Sequence, residues 1–334
     1  MISRRDFLIG SVGAVFGYAF RGLRIPMPIT PFQDGNITSI GASLGGAYGE
    51  PTMLLSDDGT QIDAWFGFNN HIYYSHSSDG VTFSGFTVTS ITAGYFRSHC
   101  LKDNGTYYLY AANTGDTSIH VFTSTDKVTF TDQGQVLGVG SGWDGSHVAN
   151  TFVWREGANW YMLYEANGTG NYKIGLATAS SPTGPWTRYA SNPVLGLPTY
   201  GGGNPELPRF QSTVTTYGGK YYCYFHNISS IGASTIQRAY STDLHTWTIE
   251  GQIDGVWQSN APAWNGSSGW SYGDHCLVTL NGKTFLYWSP SDQVSQAHID
   301  GATDNRTEVQ LMAVPPFGAV PWYQGSAKAA SVFG

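Results

Sequence analysis

A strand, a Gly-containing turn and a second, aromatic-rich strand recur five times along this chain of 334 residues. The turns are Asp57-Asp58-Gly59, Asp103-Asn104-Gly105, Glu156-Gly157, Gly218-Gly219 and Asn281-Gly282. Behind them stand Ala64-Trp65-Phe66, Tyr107-Tyr108-Leu109-Tyr110, Trp160-Tyr161-Met162-Leu163-Tyr164, Tyr221-Tyr222-Cys223-Tyr224 and Phe285-Leu286-Tyr287-Trp288. Asn-Gly and Gly-Gly between β-prone runs signal hairpins, because the primed two-residue turns need positive φ. In the first four copies a further strand leads into Ser77-Ser78-Asp79, Ser124-Thr125-Asp126, Ser180-Ser181-Pro182 or Ser241-Thr242-Asp243, and an aromatic follows: Phe83, Phe130, Trp186 or Trp247. Four-stranded units repeated five times predict an all-β, single-domain, five-bladed β-propeller over residues 45–316. Residues 20–44 are a lead-in, and residues 317–334 a tail or closing strap.

Composition agrees and narrows the function. Gly 43 and Pro 15 supply the turns, and 15% aromatics argue against disorder. Lys+Arg 16 against Asp+Glu 23 leaves a net charge of -7, which argues against a nucleic-acid partner. No apolar run reaches the roughly 18 residues needed to span a bilayer. At the start, Ser3-Arg4-Arg5-Asp6-Phe7-Leu8 and the mildly apolar stretch to Phe20 resemble a twin-arginine export signal. Residues 1–19 are then expected to be removed, leaving a periplasmic or secreted monomer with no membrane span. The three cysteines, Cys100, Cys223 and Cys276, cannot all pair within the chain and sit in strand-like contexts, so free buried thiols are expected.

The first strand of a propeller blade lies nearest the axis, so the residues leading into it surround a central cavity. Reading back from each turn gives Gly49-Glu50-Pro51, Phe96-Arg97-Ser98-His99, Trp143-Asp144-Gly145-Ser146-His147, Asn204-Pro205-Glu206-Leu207-Pro208 and Gly273-Asp274-His275. Acidic residues are scarce, yet a carboxylate or a histidine recurs here in every copy. Trp143 and Phe96 are aromatic members of the set, and Arg97 is its only cation.

With these residues in view, the chain resembles the five-bladed propeller glycosidases, most of all glycoside hydrolase family 43 and more distantly families 32, 68 and 117. The resemblance is carried by Ser180-Ser181-Pro182-Thr183-Gly184-Pro185-Trp186, by Glu206-Leu207-Pro208, by Gly273-Asp274-His275 and by Gly49-Glu50-Pro51. It implies hydrolysis of plant- or algal-type oligo- or polysaccharide with inversion. Glu206 would protonate the leaving oxygen, Glu50 would activate water, and Asp144 would tune the acid, since the chemistry needs two carboxyls of different pKa. Arg97, His99, His147, Trp143 and Phe96 would bind substrate. His275 would help hold a central ion such as Ca2+, although the reaction requires no cofactor. Two departures stand out: Glu50 replaces an Asp, and Asp144 lies early relative to its turn, leaving His147 or Asn150 as alternative inward groups. They keep a rival open, a non-catalytic carbohydrate-binding propeller.

Overall fold

The computed structural model describes residues 37–39, 49–68, 70–80, 82–168, 172–196, 207–209, 214–217, 219–228, 234–252, 271–281, 283–291 and 310–314. All belong to one compact unit, Pro31–Gly334. The proposed signal segment, the tail and Glu206 lie outside the described residues.

Within that unit the fold is all-β, without an α-helix among the described residues. A first strand, β1 (Ile37–Ser39), precedes five antiparallel sheets. Sheet one holds β2 (Gly49–Leu55), β3 (Ile62–Phe68), β4 (His71–Ser77) and β5 (Ser84–Val88); sheet two holds β6 (Tyr95–Asp103), β7 (Thr106–Asn113), β8 (Ser118–Ser124) and β9 (Thr131–Gly138). Sheet three holds β10 (His147–Glu156), β11 (Asn159–Asn167), β12 (Lys173–Ala179) and β13 (Thr187–Arg188). Sheet four holds β14 (Leu207–Arg209), β15 (Val214–Tyr217), β16 (Lys220–Ile228), β17 (Ser234–Ser241) and β18 (Thr248–Gln252). Sheet five holds β19 (Ser271–Leu280), β20 (Lys283–Ser291) and β21 (Gln310–Val314), and β1 pairs with β21 as its outermost strand. The lead-in thus joins the two ends of the unit.

Local chemistry accounts for the repeat. Asn104 and Gly105 take φ of 48° and 82°, the left-handed pair that a tight hairpin turn demands. In the Ser-x-Asp turns the serine hydroxyl bonds the aspartate, as from Ser124 to Asp126 Oδ1 at 3.0 Å and from Ser241 to Asp243 Oδ1 at 2.9 Å. Each carboxylate then accepts backbone N–H groups two and three residues on, at 2.6 Å from Thr129 and 2.8 Å from Thr246. Those bonds hold the Asp243 carboxyl down at about 2. An Asx turn therefore does the work of a backbone turn at Asp79, Asp126 and Asp243; where Pro182 stands in place of the aspartate, the Ser181 and Thr183 hydroxyls pair at 3.0 Å.

The apolar core lies between neighbouring sheets. Met53, Ile62 and Phe66 of sheet one pack with Val278 and Leu280 of sheet five. Trp65 and Ile72 meet Cys100, Tyr107 and Leu109 of sheet two, while Tyr110, Ile119 and Val121 meet Val153, Trp160 and Met162 of sheet three. Leu163 and Leu176 then meet Cys223, Phe225 and Ala239 of sheet four. All three cysteines are free; Cys100 and Cys223 are buried in these interfaces and Cys276 is partly buried. A polar lock crosses the interface of sheets one and two, where buried Asp63 takes Lys127 Nζ at 2.8 Å and the Tyr74 hydroxyl at 2.7 Å.

Candidate active site

Four first strands carry a β-bulge at the same register. Glu50-Pro51 stand opposite Phe66, Arg97-Ser98 opposite Ala111, Asn150-Thr151 opposite Tyr164, and Asp274-His275 opposite Trp288. In each case two residues face one. A bulge breaks the ladder and re-aims the side chains it carries, which is why such devices gather at functional sites. Arg97 and Asn150 accordingly adopt left-handed φ of 54° and 45°, a conformation costly enough for non-glycine residues to need support from around it.

The bulges of sheets two and three are joined by a buried polar chain. Arg97 Nη1 lies 2.5 Å from Asp116 Oδ2, on the loop between β7 and β8. That loop is tied to the next sheet by the Val148 N–H, which donates to the Asp116 carbonyl at 2.7 Å. The same Asp116 oxygen is 3.6 Å from His147 Nδ1, and His147 Nε2 is 2.9 Å from Glu165 Oε1. Asn150 Nδ2 donates to Glu165 Oε2 at 3.0 Å. Because a carboxylate only accepts, this bond fixes which end of the Asn150 amide is nitrogen and leaves Asn150 Oδ1 buried without a partner. Asp116 Oδ1 is buried and unbonded as well.

Aromatic rings close on the chain. Tyr172 meets the His147 ring edge-on at 4.8 Å, and the Arg97 guanidinium lies 5.0 Å from the centre of the Phe96 ring. Burial pushes the Asp116 carboxyl above the usual carboxylate range; Arg97 and His147 pull it part of the way back, and the Glu165 charge adds to the rise. Guanidinium, imidazole and two carboxyls in one cluster are groups that can bind sugar hydroxyls and carry protons.

Of the residues singled out from sequence, Arg97, Phe96 and His147 come together here. Asp144 and Trp143 do not. They occupy a single 3-10 turn, Gly142–Asp144, ahead of β10, and the buried Asp144 carboxylate forms a 2.8 Å ion pair with Arg188 of the outermost strand β13. The angle of that contact is too poor for a hydrogen bond. Trp143 packs on Tyr164 at 5.9 Å. Their place is set by contacts with the outer part of sheet three. His99, one residue beyond its bulge, turns toward the neighbouring sheet instead: Nε2 is 3.0 Å from the Val153 carbonyl and the ring packs 4.4 Å from Phe152. Burial lowers the His99 pKa to about 4. Thr52, at the same register, likewise accepts the Cys100 N–H at 2.9 Å, so this position ties one sheet to the next. Glu50 and His275 are fixed in their bulges by backbone register, and Glu206 immediately precedes β14. Among the described residues no group of three His, Cys, Asp or Glu side chains is arranged to hold a metal ion.

Residues 97–200, which contain the whole Arg97–Glu165 chain of contacts, match the profile of glycosyl hydrolases family 43. Over that segment the protein is similar to the glycoside hydrolases of family 43. Solved structures agree in fold. The chain superposes on an α-L-arabinofuranosidase from Lactobacillus brevis with a TM-score of 0.60 at 11% identity, covering 84% of this chain and 96% of that one. It superposes on an endo-arabinase from Bacteroides thetaiotaomicron with a TM-score of 0.56 at 16% identity, covering 87% and 99%. A family 117 glycoside hydrolase from Zobellia galactanivorans gives 0.54 at 15% identity, covering 85% and 89%. No curated protein sequence matches. Asp116 and Glu165 are the members of this cluster that sequence reading passed over. A signal for Glu165 was present, namely a lone acid inside the apolar run Trp160–Ala166.

Proposed function

We propose that this protein is a glycoside hydrolase, a closed five-bladed propeller that cleaves arabinose-, xylose- or galactose-containing oligosaccharides of plant or algal type, with inversion of configuration. The shared register of the four bulges carries this reading, because it places Glu50, Arg97, Asn150 and the Asp274-His275 pair at equivalent backbone positions in four sheets. Pairing of β1 with β21 supports closure. The solved structures of like fold include enzymes titled as an endo-arabinase, an α-L-arabinofuranosidase and an endo-1,4-β-xylanase, which motivates the choice of pentose polymers.

In the proposed reaction Glu206 protonates the departing glycosidic oxygen while Glu50 takes a proton from the attacking water on the opposite face of the sugar. Inversion calls for a gap of about 6.5–9.5 Å between those carboxyls, wide enough for the water. Arg97 and His147 hold sugar hydroxyls, and Phe96 and Tyr172 offer apolar ring faces. Export through the twin-arginine segment would deliver the folded hydrolase to its polymer, and it predicts that Arg4→Lys with Arg5→Lys leaves the protein in the cytoplasmic fraction of its host.

The test is release of reducing sugar from arabinans, xylans, galactans, agar oligosaccharides and fructans, with the anomer of the fresh product read by proton NMR. Wild type should release sugar as the inverted anomer. Glu206→Gln should lower kcat by about 10²–10³-fold with KM little changed, since it removes a proton donor used only in the transition state. Undiminished turnover by Glu206→Gln would remove it from the acid role.

A further inference from the structure

The repeat supplies an internal standard for what a second strand needs beside its bulge. Paired with the residue just ahead of the bulge, sheets one, two and five place Gly67, Ala112 and Ser289, all small and uncharged. Sheet three places Glu165, which is 0% exposed. Packing in the other sheets asks only for a small, uncharged residue at this register. A carboxylate withdrawn from water costs several kcal/mol unless its partners are well placed, and an apolar residue of similar volume commonly serves stability as well or better. The exception therefore asks for a reason other than stability.

Its partners point to that reason. Both Glu165 oxygens are engaged, one by His147 Nε2 at 2.9 Å and the other by Asn150 Nδ2 at 3.0 Å. Those two residues open the same first strand, one at its start and one in its bulge. Each turns a second polar atom away from Glu165: His147 Nδ1 toward Asp116 and Asn150 Oδ1, buried and unpartnered. Glu165 thus anchors, from the second strand, one polar atom of each of two first-strand side chains and leaves the other polar atom of each turned away from it. It also defines the ring, because a carboxylate at Nε2 selects the imidazole form with its proton there.

We infer that Glu165 is a positioning residue of the glycosidase reaction: it stands in sheet three for the inner-strand carboxylate this family-43-like chain lacks, holding His147 and Asn150 toward the sugar from one strand further out. This rests on the proposed reading of the site. It assigns to Glu165, acting through His147 and Asn150, a task that the sequence pattern suggested for Asp144, which is instead ion-paired with Arg188.

Two variants test it. Glu165→Gln keeps the shape, and Glu165→Leu removes the buried carboxylate and its hydrogen bonds at similar volume, so that either variant can be read if the other fails to fold. Kinetics are read on 4-nitrophenyl α-L-arabinofuranoside, 4-nitrophenyl β-D-xyloside and arabino- and xylo-oligosaccharides, with a thermal melt of each protein. The expected result is a kcat lower by about 10²-fold in both, a displaced pH profile of kcat/KM, KM little changed, and a melting temperature that does not fall in Glu165→Leu. A purely structural glutamate gives the opposite pattern: wild-type kcat and pH profile per folded molecule, with a lowered melting temperature. That pattern overturns the inference. Nitrogen-15 NMR of the histidine rings separates this from the reaction itself. His147 should carry its proton on Nε2 in wild type and lose that preference in Glu165→Leu even if no sugar of the panel is hydrolysed, which would refute only the substrate reading. An unchanged His147 tautomer in Glu165→Leu refutes the positioning role.

Discussion

Gly168→Ala should unfold or severely destabilise this protein, although it adds a single methyl group at a partly buried position. A Cβ at Gly168 would stand 1.7 Å from the Gly142 carbonyl oxygen and 2.9 Å from its carbon. Both are backbone atoms, so no side chain can swing aside. The Gly142–Asp144 turn cannot easily retreat either. Asp144 is held by Arg188, its carbonyl accepts the Gly140 N–H at 2.9 Å, and the Ser146 N–H donates to Asn167 at 2.9 Å. Relief requires a shift of more than an ångström that breaks some of these bonds and moves the start of β10, with His147 on it. Overpacking a compliant core costs about 1–3 kcal/mol; against backbone fixed on two sides the cost should exceed about 3 kcal/mol. Gly157→Ala is the control. Gly157 sits at φ 60° with nothing within 4 Å of a new Cβ, so only backbone strain of about 1 kcal/mol is expected. Urea unfolding of both variants checks the contrast, and equal midpoints would show that the turn yields freely.

That constraint was invisible in the sequence, and the reason is physical. Turn residues and aromatic runs announce local structure, so the hairpin at Asn104-Gly105 and the Ser-x-Asp turns could be read directly. The cluster at the strand starts was legible to the same extent: Glu50, Arg97 and Asp274-His275 were located by counting back from the turns, and all fall in bulges. The bulge itself cannot be read. By adding one residue it reverses the alternation beyond it, which sent His99 to Val153 rather than inward. Asp116 and Glu165 were missed because they lie on a connecting loop and on a second strand, and only three-dimensional register brings them beneath the first strand. Asp144 misled because a carboxylate just ahead of a first strand looks the same whether its turn folds inward or back onto β13.

The His99 tie between sheets two and three should make the fold acid-sensitive in a defined window. Its ring nitrogen contacts a carbonyl, which requires a proton on Nε2, and its ring lies against Phe152; burial there disfavours the charged imidazolium. The folded pKa of about 4 lies below the ordinary 6.5. The unfolded chain therefore takes up a proton first as pH falls. The stabilising contribution is complete above about pH 6.5, declines through the interval, and is lost by about pH 4. A gap of that width corresponds to about 3 kcal/mol. The Ser-x-Asp carboxylates act in a lower range, since Asp243 titrates at about 2 in the folded protein against an ordinary 3.8, so the two effects separate on the pH axis. His99→Gln keeps an N–H donor for the Val153 carbonyl and removes the titration. Urea unfolding at half-unit steps from pH 7 to pH 4 should show wild type losing stability steadily, with His99→Gln nearly flat until the carboxylates begin to protonate. If both proteins lose stability with the same slope above pH 4.5, the sensitivity arises elsewhere and His99 is as easily protonated folded as unfolded.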